Sequence, residues 1–375
     1  MNYGYRLLTV FCSLSLLGLA GYAQGQAQAP AAVKGQAPPG LTDAIDAVDQ
    51  GQVPAQHALL VYQRGQLLLE RYWDGEDHII GQPIPAPRSF GPETLHDLRS
   101  CSKSVVGLLT GIAIDEGLLP PIETSAHLLF PDLIESSPER FTAAHRRITL
   151  EHLLDMTDGI AWDQDNAKPM MARNEFWLWQ AQDPSAYVWS QPIAHPAGET
   201  FNYSSGSTTL LAEAIRRRSG MDIEAYAKEK LFRPLGVTRW EWVAQRNGSP
   251  AAFGGLRLAP RDMLKLGRLV LQRGKWEGKQ VVPGAWIDAT GDRRGEQRFY
   301  GYQWWLDTYT VHGQSVHAVA AGGLGGQYIH VFPTLDAVVV STAGHYRDAH
   351  AATQGMRLLE KWVLPALMPS PPSQP

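Results

Sequence analysis

The chain reads as an α+β fold, a mostly antiparallel sheet flanked by helices with an all-helical lobe inserted into it. Three observations lead there. Strand-like runs lie near both ends of the body, a helical stretch fills the middle, and the late runs are joined by links too short for parallel crossovers.

The elements follow in order. His57–Tyr62 and Leu67–Trp73 are two β-rich runs, and Gln63-Arg64-Gly65-Gln66 between them suits a hairpin turn. A Pro-rich connector, GQPIPAPRSFGP, comes next. Ser100 to Leu119 is apolar on nearly every face between Val105 and Ile114, which is the pattern of a buried helix rather than a surface one. Leu150–Met156, Thr208–Ser219 and Ile223–Phe232 are helical segments of the middle, and Arg261–Arg273 is an amphipathic helix. Tyr300–Leu306, His317–Ala321, Gln327–Phe332 and Ala337–Thr342 are strand-like, and His350–Leu367 is a closing helix. Strands from both ends then share one sheet. The sheet-bearing lobe comprises about residues 41–117 and 255–367, the helical lobe about 118–254, and the active cleft lies between them.

Composition narrows the function. With 44% hydrophobic and 19% charged residues the chain is globular, and a net charge of −4 leaves no basic footprint for nucleic acid. Two cysteines cannot build a disulfide framework. Residues 1–23 place Arg6 before an apolar run that ends in small residues, Gly21-Tyr22-Ala23, the pattern of a cleaved signal peptide. The expected location is therefore periplasmic or secreted, with no stable membrane span after cleavage; an uncleaved N-terminal anchor is the alternative. Residues 24–40, rich in Gln, Ala, Pro and Gly, read as a flexible linker, and 368–375 as a disordered tail.

Three pieces carry chemistry. Ser100-Cys101-Ser102-Lys103 puts a hydroxyl and an amine three residues apart, on one helix face. The hydroxyl meets the positive end of the helix dipole, and a buried helix desolvates the amine, lowering its pKa so that it can take the hydroxyl proton. A helix N-cap serine beside an exposed lysine is the bland alternative. Tyr203, in a Pro/Gly loop feeding a helix, offers a phenol for acid/base work if Lys103 lowers its pKa; otherwise it is a packed loop tyrosine. Ala321-Gly322-Gly323-Leu324-Gly325-Gly326-Gln327 lies between two strands, where glycines allow a close backbone approach and exposed N–H groups can face an oxyanion; a plain glycine-rich turn is the other reading.

In this order the three pieces resemble the β-lactamase-related serine hydrolases, which include class C β-lactamases, D,D-peptidases, some esterases and 6-aminohexanoate-dimer hydrolases. LRSCSKSVVGLLTGIAIDEGLL, ITLEHLLDMTDGIAW, PAGETFNYSSGSTTLLAEAI, LFRPLGV, GGLRLAPRDMLKLGRLVLQRGKW and GGQYIHVFP support the likeness, over about residues 50–365, with wording nearest the 6-aminohexanoate-dimer hydrolases. The resemblance implies a β-lactamase/transpeptidase-like domain over 41–367. It implies Ser100 as the nucleophile of an acyl-enzyme and Lys103 and Tyr203 as shared general base and acid. The backbone N–H groups of Ser100 and Leu324 would hold the oxyanion. No cofactor or metal is implied. Two departures stand out: Ser205 occupies the Asn place of Tyr-x-Asn, and Ala321-Gly322-Gly323 replaces Lys-Thr-Gly. Without that lysine a charge partner for a β-lactam carboxylate is missing, which favours ester or amide hydrolysis of a small linear or peptide-like substrate. A D,D-peptidase or weak β-lactamase, and an acylated sensor without turnover, are the alternatives.

Ser205, Gly323 and Gly325 are candidate substrate contacts. So are Trp162 and Trp177, from a cluster with Trp179 and Trp189 that either lines an acyl pocket or packs the helical lobe. Cys101 points about 100° away from Ser100 on a helix and reads as a structural thiol. The twelve histidines include no His-Glu-x-x-His; His345 and His350 come nearest to metal spacing. Gly-x-Ser-x-Gly is absent, and Arg216-Arg217-Arg218 reads as a solvated helix end.

Overall fold

The structure, a computed structural model, describes residues 39–82, 84–165, 167–292, 298–346 and 354–368. The expected signal peptide, nearly all of the expected linker, the tail beyond Met368 and His350 lie outside the described residues.

Helix α1 (Pro39–Asp49) precedes the hairpin of β1 (Gln56–Gln63) and β2 (Gln66–Tyr72). β3 (Asp74–Asp77) pairs with β4 (Ala86–Ser89), so the Pro-rich connector supplies one strand of a small ribbon, and β5 (His96–Asp97) leads into α2 (Cys101–Asp115). The middle holds α3 (Pro131–Ser136), α4 (Leu150–Leu154), α5 (Asn174–Gln180), α6 (Pro184–Trp189), α7 (Ser205–Ser219) and α8 (Ile223–Ala227). β6 (Glu241–Trp242) and β7 (Leu256–Leu258) join β5 in a small sheet. After α9 (Pro260–Leu271) come β8 (Lys275–Trp276), β9 (Lys279–Gln280) and α10 (Gly284–Gly291). β10 (Tyr300–Gly301), β11 (Trp304–Val311), β12 (Gln314–Gly323), β13 (Gln327–Phe332) and β14 (Ala337–Ala343) follow, then α11 (Gln354–Leu358) and α12 (Leu364–Leu367).

The main sheet has seven antiparallel strands in the order β10-β11-β12-β13-β14-β1-β2, so strands from both ends of the body meet where Leu60 faces Val340. Strands β1 and β14 are buried on both faces, which is why they read as near-continuous apolar runs. Ala58, Leu60, Val338 and Val340 join the core shared with α2 and α9. Leu59, Val61 and Val339 point the other way, into a second core with Leu41, Ala44 and Val48 of α1 and Leu358, Leu364 and Leu367 of the terminal helices.

Two elements differ from the sequence reading. Pro39 and Gly40 open a helix rather than close a linker, because Leu41, Ala44 and Val48 recur at helical spacing and cap the sheet. The run Tyr300–Leu306 is broken. Tyr302 and Gln303 take φ of 48° and 72° and turn the chain between β10 and β11. Tertiary partners hold that turn: Tyr302 N–H donates to Asp155 Oδ1 at 3.0 Å, and the Gln303 side chain donates to Leu153 O at 3.0 Å and accepts from Thr208 Oγ1 at 2.7 Å.

Helix α2 is buried from Cys101 to Ala113 between the sheet and α7. Gly107 is required there, since a Cβ would run into Tyr302 O. Helix α7 starts where Ser204 Oγ accepts from the N–H groups of Gly206 and Ser207, and it ends at Gly220 with φ of 75°. No helix among the described residues is long and apolar enough to cross a membrane.

Candidate active site

Ser100 is the N-cap of α2 and faces a cleft of about 400 Å³. The residue before it, Arg99, has φ of 50°, an uncommon conformation for a non-glycine. Its side chain is fixed on three sides: Nη2 donates to His78 O at 2.8 Å, Nε lies 3.3 Å from Asp97 Oδ2, and the guanidinium covers the Tyr346 ring at 4.6 Å. Gly323 lets β12 come against this loop, because a Cβ there would collide with Leu98 O. The helix entry and the strand edge thereby form one wall.

Lys103 lies one turn into α2 and is 1% exposed. Its Nζ donates to Ser100 Oγ at 3.1 Å and to Phe253 O at 2.8 Å. Burial lowers its pKa from 10.5 to about 8, with the Glu175 charge working against the shift. About a tenth of the amine is then neutral at pH 7.

Tyr203 arrives from the other side, on a loop pinned by Asn202 N–H to Met156 O at 2.8 Å and Gly198 N–H to Thr157 O at 2.7 Å. Its ring stacks on Trp305 at 5.5 Å, and its phenol lies beside Ser100 in the cleft lining. The three groups therefore meet. The phenol pKa moves opposite to the sequence expectation: burial pushes it up, and the neighbouring Ser100 hydroxyl opposes this in part. The Lys103 ammonium lies over the face of the ring, 5.0 Å from its centre, rather than against the oxygen. A phenol in this state is a proton donor, not a phenolate.

Leu324, Gly322 and Gly323 line the cleft, while Gly325 sits in the turn below, against Tyr346. Among the described residues, neither the N–H of Ser100 nor that of Leu324 makes a backbone hydrogen bond. Ser205 does not face the cleft. Its Oγ donates to Glu175 Oε2 at 2.7 Å and its N–H to Gln164 Oε1 at 2.9 Å, and Gln164 also donates to Glu175. The cleft side of that triplet is Gln164 and Glu175, which the sequence reading missed, since nothing local marks a glutamine in a loop or a glutamate at a helix start.

Trp162 stands behind the cleft wall, where its Nε1 donates to Gln164 Oε1 at 3.1 Å. Trp177 is exposed and donates to Met171 O at 2.9 Å, away from the cleft lining. The cleft's aromatic contacts come instead from Phe253, Trp305 and Tyr328. Cys101 is buried, donates to Gln327 O at 3.3 Å and has its thiol pKa pushed up by burial. Among the described residues, no three His, Cys, Asp or Glu side chains are grouped to hold a metal ion.

The sequence model of the β-lactamase family matches residues 42–360. The chain belongs to the β-lactamase family. It is a β-lactamase-related serine hydrolase. The chain is 26% identical over 305 residues to the 6-aminohexanoate-dimer hydrolase of Paenarthrobacter ureafaciens, covering 76% of this chain and 71% of the relative. Among solved structures, a putative 6-aminohexanoate-dimer hydrolase from Bacillus anthracis superposes with a TM-score of 0.68 at 20% identity, over 85% of this chain and 80% of that one. A family VIII carboxylesterase superposes at 0.63 and 16% identity, over 88% and 99%. At these identities the structural likenesses speak for the fold.

Proposed function

We propose that this β-lactamase-family hydrolase cleaves an amide or ester bond of a small linear or peptide-like substrate through an acyl-enzyme on Ser100. The observation that carries the reading is the buried Lys103 amine, 3.1 Å from Ser100 Oγ and with its pKa brought down to about 8. Neutral Lys103 takes the hydroxyl proton as Ser100 Oγ bonds to the carbonyl carbon. The N–H groups of Ser100 and Leu324 hold the resulting oxyanion. On collapse the carbon–nitrogen or carbon–oxygen bond breaks and the Tyr203 phenol protonates the leaving group, which leaves a phenolate and the Lys103 ammonium. The phenolate then takes a proton from the water that attacks the acyl carbon, and Ser100 Oγ leaves that carbon with the proton held by Lys103, so that all three groups return to their starting states.

Fluorophosphonate labelling tests the nucleophile, with p-nitrophenyl esters, a chromogenic cephalosporin and linear aminohexanoate dimer as substrates. Labelling at Ser100 with turnover of esters or the dimer supports the reading. Turnover of the cephalosporin alone replaces it with a D,D-peptidase or β-lactamase, and labelling without any turnover replaces it with a sensor. Export rests on residues 1–23. N-terminal sequencing of the protein recovered from the periplasm and medium tests it; a start at Met1 in the cytoplasm removes it.

A further inference from the structure

The three groups of the proposed site come from two parts of the fold. Ser100 and Lys103 share the start of α2, so one helix fixes their spacing. Tyr203 stands on a loop ahead of α7, and its place beside α2 has to be set by other contacts. The buried turn between β10 and β11 reaches both sides. Gln303, 1% exposed, sits in that turn with φ of 72°. Its carbonyl accepts from Ser104 Oγ at 2.7 Å, and Ser104 follows Lys103 on α2. Its side-chain Oε1 accepts from Thr208 Oγ1 at 2.7 Å, one turn past the Ser204 cap that follows Tyr203. Its Nε2 donates to Leu153 O at 3.0 Å and Leu154 O at 3.1 Å, and its N–H donates to Leu154 O at 3.0 Å. Leu153 and Leu154 end α4, and Met156 just beyond them receives the Tyr203 loop. The Met156 carbonyl accepts from Asn202 N–H at 2.8 Å and its Sδ from Ser204 N–H at 3.4 Å. The strand that leaves the turn carries Trp305, which stacks on the Tyr203 ring.

We propose that Gln303 is a positioning residue: its side-chain amide ties the supports of the Tyr203 loop to the helix that carries Ser100 and Lys103, and so sets where the phenol stands when a leaving group needs its proton. An amide suits the task. It donates and accepts at once and stays neutral, so the tie is the same at every stage of the cycle. In a buried place each of its bonds is expensive to lose, because the partner left behind finds no water. A displacement of about 1 Å at the reacting centre is enough to cost about 10²-fold in rate. This role rests on the proposed reading of Tyr203 as the acid, and it adds what holds the acid in place.

Two acetates separate the placing of the phenol from general damage, since both deliver the same acyl group. p-Nitrophenyl acetate loses its leaving group as a stable anion, whereas the ethoxide of ethyl acetate needs a proton as it departs. Gln303→Gly removes the amide and keeps the turn, whose φ glycine adopts freely. In the full chain this variant should lower kcat/KM for ethyl acetate about tenfold or more relative to p-nitrophenyl acetate, while a fluorophosphonate labels Ser100 at the parent's rate. Thr208→Val should move the ratio the same way by less, and Thr208→Ser, which keeps the hydroxyl, should restore it. If Gln303→Gly does not fold, the two Thr208 variants decide. A ratio that stays at the parent's value, or a fall shared equally by both acetates and the labelling, overturns the proposal. Tyr203→Phe checks the reading beneath it: a ratio equal to the parent's in that variant would defeat the acid role of the phenol. The positioning role is then judged by crystal structures of the parent and Thr208→Val. A phenol oxygen moved away from Ser100 supports it, and superposed rings reject it.

Discussion

Two cations, Lys103 and Arg257, are almost fully buried, and the acceptor for one and the side chain of the other come from the same short segment. Phe253 supplies the carbonyl that receives Lys103 Nζ, and four residues later Arg257 enters β7. Their surroundings differ in one respect. Arg257 has Asp77 at 2.9 Å, Asp97 at 3.2 Å and Glu241 at 3.3 Å, together with Leu95 O at 3.0 Å. Lys103 donates to a hydroxyl and a peptide oxygen, both neutral. Burial without a contacting anion brings an amine into the working range of a base, whereas burial with anions makes a structural tie. Location alone therefore does not set what a buried cation can do: Lys103 is an amine able to lose its proton and donates to no carboxylate, whereas Arg257 is a guanidinium that stays charged and ion-paired.

The largest expected effect comes from making the first cation behave like the second. Lys103→Arg keeps a positive charge but cannot release its proton, so ester turnover should fall by about 10³-fold or more while labelling at Ser100 slows in parallel. Steady-state kinetics with near-unchanged thermal unfolding would confirm that chemistry, not folding, was lost. Activity within tenfold of the parent would break the comparison.

Removing the second cation should act on stability. Arg257→Met leaves Asp77 and Asp97 buried beside fewer positive groups and should cost about 3–5 kcal/mol in urea unfolding. Any active fraction of that variant should keep the parent's kinetic pKa.

A third experiment sharpens the electrostatics. On the proposed reading the neutral amine is the base, so kcat/KM should rise with pH through about 8. Glu175 favours the charged amine, so Glu175→Gln should move this rise to lower pH, and a shift upward would contradict the assignment. The smallest effect belongs to Ser205→Ala. It removes the 2.7 Å bond to Glu175 and should cost about 1 kcal/mol of stability.

The same contrast explains what could be read in advance. Ser100 and Lys103 share one helix, so their spacing in sequence is their spacing in space, and the apolar run behind them announced burial. The strands of the main sheet were legible because β1 and β14 are apolar on both faces. Tyr302 and Gln303 were not: their positive φ is imposed by Asp155, Leu153 and Thr208, contacts that lie far away in sequence. Glu175 and Gln164 escaped for a similar reason. They reach the cleft only because Ser205, forty-one residues after Gln164, holds both. Ser205 itself was singled out by position, and its role as their holder appears only in three dimensions. Tyr203 entered the expected site through the resemblance, and its acidity depends on whether Lys103 meets the oxygen or the ring face, which spacing does not encode.

The bond from Lys103 to Phe253 O has a further consequence. A peptide oxygen does not titrate, so its hold on the amine is the same before and after a proton leaves. A neutral amine still carries two hydrogens and gains a lone pair. One hydrogen can stay on the peptide oxygen while the lone pair turns to receive the hydroxyl hydrogen of Ser100. Charged and uncharged forms thus fit one arrangement of heavy atoms, and each cycle begins and ends without the side chain having to travel.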